Sequence, residues 1–167
     1  MNNQNYEINK NWSLIEIRKN SFYNDLLLNI SYERDTLDLG EDKNPFRSSI
    51  TIKIPQAISD TLELRQSFIG RVKDEKITYI NSKRDDSYIY AKTSSLGKYI
   101  ISRDTVKPDI RPINFKQNSN ISNRSSIRLR LKDDISGIKS YNAFLNGKWA
   151  LFEYEPKLNL IFHNISD

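Results

Sequence analysis

The chain has 167 residues, of which 37% are hydrophobic, and its 26 basic and 21 acidic side chains give a net charge of +5. That length allows one large domain or two small ones, and the apolar content is enough for a packed core rather than a disordered coil. There is no cysteine, which excludes disulfides, Cys-ligated zinc and a thiol nucleophile.

The opening MNNQNYEINKNW has no apolar run of the kind a secretory leader needs. No later stretch approaches the ~20 apolar residues of a membrane-crossing helix. The chain as given therefore reads as soluble, with no leader and no membrane span.

Period-two patterning then takes over. SLIEIR (13–18) and LLLNISY (26–32) read as strands. SSITIKI sets Ile50, Ile52 and Ile54 on one face against Thr51 and Lys53 on the other. LELRQSFI (62–69), KITYI (76–80), SYIYAK (87–92) and KYIIS (98–102) follow as further strands. No stretch holds a 3.6-residue apolar stripe, so helix is limited to a turn or two around 56–61, after Pro55.

SRDTVKPDIRP (102–112) reads as a stiff connector, because Pro108 and Pro112 fix their own φ and push the preceding residues into extended conformations. Charge changes there as well: residues 1–105 hold 16 basic and 15 acidic side chains, and residues 106–167 hold 10 and 6. The expected fold is all-β, with two consecutive β-sandwich modules of the immunoglobulin or fibronectin kind. The first covers 1–105 and the second, small one 106–167.

In the second module SIRLRLK places Ile127, Leu129 and Leu131 opposite Arg128, Arg130 and Lys132. Asp133, Asp134, Ser136 and Gly137 then form a turn, since Asp and Ser side chains bond nearby backbone N–H groups and glycine accepts positive φ. A strand is expected from Ile138, and Asn146-Gly147 between SYNAFL and KWALFEY signals a two-residue hairpin turn. A calcium loop needs roughly six or more oxygens. Asp133 and Asp134 supply only adjacent carboxylates, with Asp104 and Asp109 remote, so the turn is preferred to the metal.

The segments SLGKYIISRDTVKPDIRPINF and LRLKDDISGIKSYNAFLNGKWALFEYEPKLNLIF resemble the C-terminal region of Gram-negative envelope proteins of the lysostaphin-like zinc endopeptidase group, where an immunoglobulin-like module follows the peptidase domain. The likeness rests on the connector at 96–108, the turn at 133–141 and the hairpin at 145–149. It extends over 96–162 and is looser over 12–95. It implies β-sandwich modules in the periplasm or cell envelope, acting beside a peptidase. It carries no activity, because the peptidase motifs belong to a domain without a counterpart here.

The residues agree with that silence. A zinc site of that kind needs more than one histidine, and the single histidine, His163, lies near the C-terminal end. There is no Gly-x-Ser-x-Gly elbow and no Gly-rich phosphate loop. A pair of carboxylates can never be discounted from sequence, which keeps a hydrolase as one alternative. The expectation is a non-catalytic module with no cofactor and no metal, docking onto a protein partner. A stand-alone subunit of a surface, adhesion or secretion assembly is the other alternative. Arg128, Arg130 and Lys132, with Lys139 and Lys148 on neighbouring strands, are the expected binding residues. An anionic glycan or lipid headgroup fits the same basic face, and nucleic acid ranks last. Trp149 and Tyr154 are expected in the core.

Overall fold

Alternating burial builds the first of two units, Met1–Thr105 and Val106–Asp167, in the computed structural model, which describes residues 4–165. In chain order the first unit begins with β1 (Tyr6–Lys10), β2 (Ser13–Ile17), β3 (Ser31–Glu33), β4 (Thr36–Asp38) and β5 (Ile50–Pro55). A short helix, α1 (Thr61–Gln66), precedes β6 (Ser67–Lys73), β7 (Lys76–Ile80), β8 (Ser82–Arg84), β9 (Tyr88–Thr93) and β10 (Lys98–Arg103). The strands form two five-stranded antiparallel sheets, ordered β1-β2-β5-β9-β8 and β3-β4-β10-β6-β7.

Ile15, Ile17, Ile50, Ile52, Ile54, Ile89 and Ala91 from one sheet meet Leu37, Ile69 and Tyr99 from the other in a single buried cluster. This is a β-sandwich. Each such isoleucine contributes about 1.5–3 kcal/mol relative to exposure. Tyr99 is fully buried, and its hydroxyl donates to the Ser95 carbonyl and lies 2.8 Å from Thr93 Oγ1. Burial pushes the phenol's pKa up. Arg71 ties two loops together, donating to Asp42 Oδ2 (2.6 Å) and to the Leu96 carbonyl (2.9 Å), while Asp42 Oδ1 accepts from the Leu96 N–H.

Two expected strands differ. LELRQ is helical because Asp60 Oδ1 accepts from the Glu63 N–H at 2.7 Å and caps the first turn, and Ser67 Oγ closes the last on the Glu63 carbonyl. The helix sits at 61–66 rather than 56–61, and strand resumes only at Ser67. Over 26–32 strand begins at Ser31. Leu26, Leu28 and Ile30 do pack on the core, so alternation there reports burial without a pairing partner for the backbone.

Four hairpins turn in two residues, both at positive φ: Asn11-Trp12, Arg34-Asp35, Asp74-Glu75 and, in the second unit, Asn146-Gly147. Positive φ at both positions belongs to the type I′ turn, whose twist suits paired strands. Only the last of these turns contains a glycine.

The second unit comprises β11 (Asp109–Pro112), β12 (Ser126–Lys132), β13 (Phe144–Leu145), β14 (Lys148–Trp149), β15 (Glu153–Glu155), a 3₁₀ turn (Pro156–Leu158) and β16 (Leu160–Asn164). The expected connector is shorter than 102–112, since β10 runs to Arg103 and DIRP is itself a strand. A four-stranded sheet in the order β11-β12-β16-β15 packs one face on Ile127, Leu131, Phe152 and Ile161, and the separate β13-β14 hairpin adds Ala143, Leu145 and Ala150 to that cluster. The strand expected from Ile138 is reduced to Phe144–Leu145, and KWALFEY divides into β14 and β15 at Ala150–Phe152.

Candidate docking surfaces

The face of the four-stranded sheet that turns away from the core is set by register. Along β12, Ile127 and Leu131 are buried and Arg128 and Arg130 are exposed. Pairing puts Arg111 directly opposite Arg130 on one side, and Leu160 opposite Arg130 and Phe162 opposite Arg128 on the other. Glu155 and Glu153 lie beyond, opposite Leu160 and Phe162. The face therefore runs from arginines through a half-buried apolar strip to carboxylates. Like charges directly opposite each other destabilise a ladder. Arg111 is bonded to Asp109 at 2.9 Å, whereas among the described residues Arg128 and Arg130 have no ion-pair partner.

The other expected binding residues part from this row. Lys132 pairs with Asp134. Lys148 lies in the separate hairpin and Lys139 in irregular backbone, so neither occupies a strand beside β12, and Arg111 takes that place. The turn residues stay together: Asp133 Oδ1 accepts from the N–H groups of Ile135 (3.0 Å) and Gly137 (2.8 Å), Gly137 has φ +74°, and Ser136 is exposed within the loop. Among the described residues no group of three or more His, Asp or Glu is placed to hold a metal. His163 belongs to β16, with Nδ1 2.7 Å from the Leu151 carbonyl and its ring stacked on Phe152 at 5.2 Å. Those contacts are structural.

The hairpin carries a second surface and a correction. Leu145 faces Lys148 across the turn, Phe144 faces Trp149, and the Ala150 N–H bonds the Ala143 carbonyl at 3.0 Å. Phe144 and Trp149 thus form a non-hydrogen-bonded pair, the closer of the two antiparallel arrangements. With Ala143, Leu145, Ala150 and Phe152 turned to the core, Phe144 (65%), Trp149 (63%) and Leu151 (61%) are left exposed. Trp149 is not a core residue. A two-residue turn fixes parity, and a one-residue change of parity exchanges the two faces. Tyr154 does pack against the core, edge-on to Tyr141.

In the first unit a groove of about 390 Å³ lies along the outside of β1, β2 and β5, lined by Tyr6, Glu7, Glu16, Arg18, Thr51 and Lys92 among others. Glu7 is directly opposite Glu16, which is opposite Thr51, which is opposite Lys92. Glu16 bonds Lys53 at 2.5 Å, and that bond holds the Lys53 pKa above its usual value. Sequence reading had no signal for this row, because β1 is a short strand with no apolar alternation strong enough to set register.

The first unit is an antiparallel two-sheet sandwich, and its residues 1–104 match the Zu5-like domain family. The chain belongs to that family. The match stops one residue short of the boundary at Thr105, leaving the arginine face and the exposed hairpin outside it. Neither curated proteins nor solved structures give a match.

Proposed function

We propose that this chain is a non-catalytic β-sandwich module of the cell envelope or periplasm, which docks onto a protein partner, a peptidase among the candidates, and positions it. The observation that carries this reading is the arginine row. Arg128 and Arg130 are exposed and lack an acidic partner among the described residues, and Arg111 is set directly against Arg130. An acidic surface laid on this face relieves the like-charge crowding and is steered to it over a Debye length of about 8 Å at physiological salt. The half-buried Leu160 and Phe162 beside the row supply apolar contact at the centre of the same face. The resemblance of 96–162 to the immunoglobulin-like region beside envelope peptidases supports the location and the kind of partner.

The test is affinity capture from envelope extract with the parent chain and with Arg128→Glu/Arg130→Glu, followed by a direct titration of the captured protein. A defined envelope protein held by the parent, released by salt and bound at least tenfold more weakly by the double variant supports the reading. Equal binding by both chains at low salt overturns it.

A hydrolase acting through paired carboxylates is a second reading, supported by Glu7 opposite Glu16 in the groove. Hydrolytic activity abolished by Glu7→Gln or Glu16→Gln would replace the first reading with this one.

A further inference from the structure

The outer face of the four-stranded sheet has two ends of opposite charge, set level with each other by register. Ile127, Leu131 and Ile161 turn to the core and Tyr154 packs against it, which sends the alternate residues of β12, β16 and β15 outward. Arg130, Leu160 and Glu155 then form one row across the sheet, and Arg128, Phe162 and Glu153 form the next. In each row the half-buried apolar side chain of β16 lies in the middle, with an exposed arginine one strand away on one side and an exposed glutamate one strand away on the other. Among the described residues none of these four charged side chains has an ion-pair partner.

We propose that this face is closed by a second copy of the same chain, related by a two-fold axis that lies along β16 between the two sheets. Rotation about that axis keeps each row at its own level and exchanges its ends. Arg130 therefore faces Glu155 of the second copy, Arg128 faces its Glu153, and Leu160 and Phe162 meet their own counterparts. Sheets stacked face to face lie about 10 Å apart, a gap that an arginine and a glutamate span from opposite sides. A two-fold axis running across the strands would instead set arginine on arginine and glutamate on glutamate, so charge selects one isologous arrangement and rejects the other. The face is small. Four strands about 4.8 Å apart and five residues rising about 3.3 Å each cover roughly 15 by 17 Å, well below the ~800 Å² per partner of a standard interface. The dimer is therefore weak and reversible. The inference goes beyond the docking reading, because it employs Glu153 and Glu155, which that reading leaves idle. It also makes the chain its own competitor: an acidic partner reaches Arg128 and Arg130 by displacing the second copy.

The experiment is sedimentation equilibrium of the purified full chain at low salt, over a concentration series reaching the millimolar range. The parent should pass from monomer to dimer and no further, and added salt should push the midpoint to higher concentration. Arg128→Glu/Arg130→Glu and Glu153→Arg/Glu155→Arg should each weaken the dimer about tenfold or more. Glu155 also accepts from the Lys157 N–H at 3.4 Å, so the thermal melt of each variant is read alongside. The decisive sample is the equimolar mixture of the two variants. Across the two-fold axis the introduced carboxylates of one meet the introduced guanidinium groups of the other, and the native glutamates of the first meet the native arginines of the second, so the mixture should dimerise as strongly as the parent. A parent that stays monomeric, a charge variant that dimerises like the parent, or a mixture that remains monomeric overturns the proposal. A dimer that survives both charge variants and is lost in Phe144→Ser/Leu151→Ser would place the contact on the hairpin, which overturns it as well. Glu153→Arg/Glu155→Arg separates this inference from the docking reading: it should lose the dimer and keep capture of the acidic partner, whereas a monomeric parent that captures such a partner through its arginines would leave the docking reading standing alone.

Discussion

The two units spend their apolar residues differently. The first encloses twelve buried residues between two five-stranded sheets, while the second has a buried cluster of four under one four-stranded sheet and a two-stranded hairpin. Among the described residues, large exposed hydrophobics number five in the first unit and nine in the much shorter second one. Surface grows relative to volume as a domain shrinks, so a unit of this size cannot cover every large side chain it carries. What it leaves bare is organised, with the hairpin's aromatics on one side and the arginine row on the other. Small size here leaves two faces of large or charged side chains exposed.

The largest effects should come from the cores. Ile52→Ala opens a cavity where the side chain is fully buried and should cost about 2–5 kcal/mol. Ile161→Ala, under a hairpin with few fixed neighbours, should cost near the lower end, about 2 kcal/mol. Urea denaturation of the two variants, read against the parent, checks the difference. Equal losses would mean that the second core is as rigid as the first.

Turns come next. Gly147 has φ +78° with nothing near the position of a Cβ, so Gly147→Val should destabilise the second unit by about 1 kcal/mol or more through backbone strain alone. Trp12 already occupies such a conformation, at φ 71°, with its indole exposed. Trp12→Gly should therefore be neutral or stabilising by less than about 1 kcal/mol, as relief of strain offsets the entropy of glycine. Thermal melts of both variants test the pair. An unchanged melting temperature for Gly147→Val would count against the hairpin.

The smallest effect is a slope with pH. Tyr99 has its pKa raised chiefly by burial and Lys53 by its bond to Glu16. Both hold their protons more tightly folded than unfolded. Their contributions are therefore complete below about pH 10, the unfolded value, and are lost as pH rises through the folded values. Tyr99→Phe should flatten the alkaline decline in urea midpoint, although it starts lower because the Ser95 carbonyl and Thr93 hydroxyl lose a partner. A decline as steep as the parent's would assign it to other groups.

Ile50 to Ile54 and Ile127 to Leu131 were legible because strict alternation with charged or hydroxyl residues admits one face only. Arg128 and Arg130 were legible as exposed for the same reason. The hairpin's parity was not. Its inward set (Ala143, Leu145, Ala150, Phe152) and its outward set (Phe144, Trp149, Leu151) are comparably apolar, so amphipathicity does not choose between them, and the preference of tryptophan for cores misled. Three hairpins escaped notice because Asn11-Trp12, Arg34-Asp35 and Asp74-Glu75 adopt positive φ without glycine. The helix at Thr61 was hidden by Leu62 and Leu64, whose spacing imitates a strand. The signal that gives it away is Asp60 three residues before Glu63.

One feature of the second sheet bears on how such a chain ages at high concentration. Its outer strands are guarded. Pro112 ends β11 without an N–H to offer, and β15 begins and ends with Glu153 and Glu155 and is followed at once by Pro156. Strands of this kind resist adding another strand from a neighbouring chain. Any association through the bare apolar surface should therefore run by face-on contact, which saturates when the face is filled, and not by edge-to-edge growth of this sheet, which has no natural end. Concentrated samples should form discrete, dissociable complexes rather than fibres.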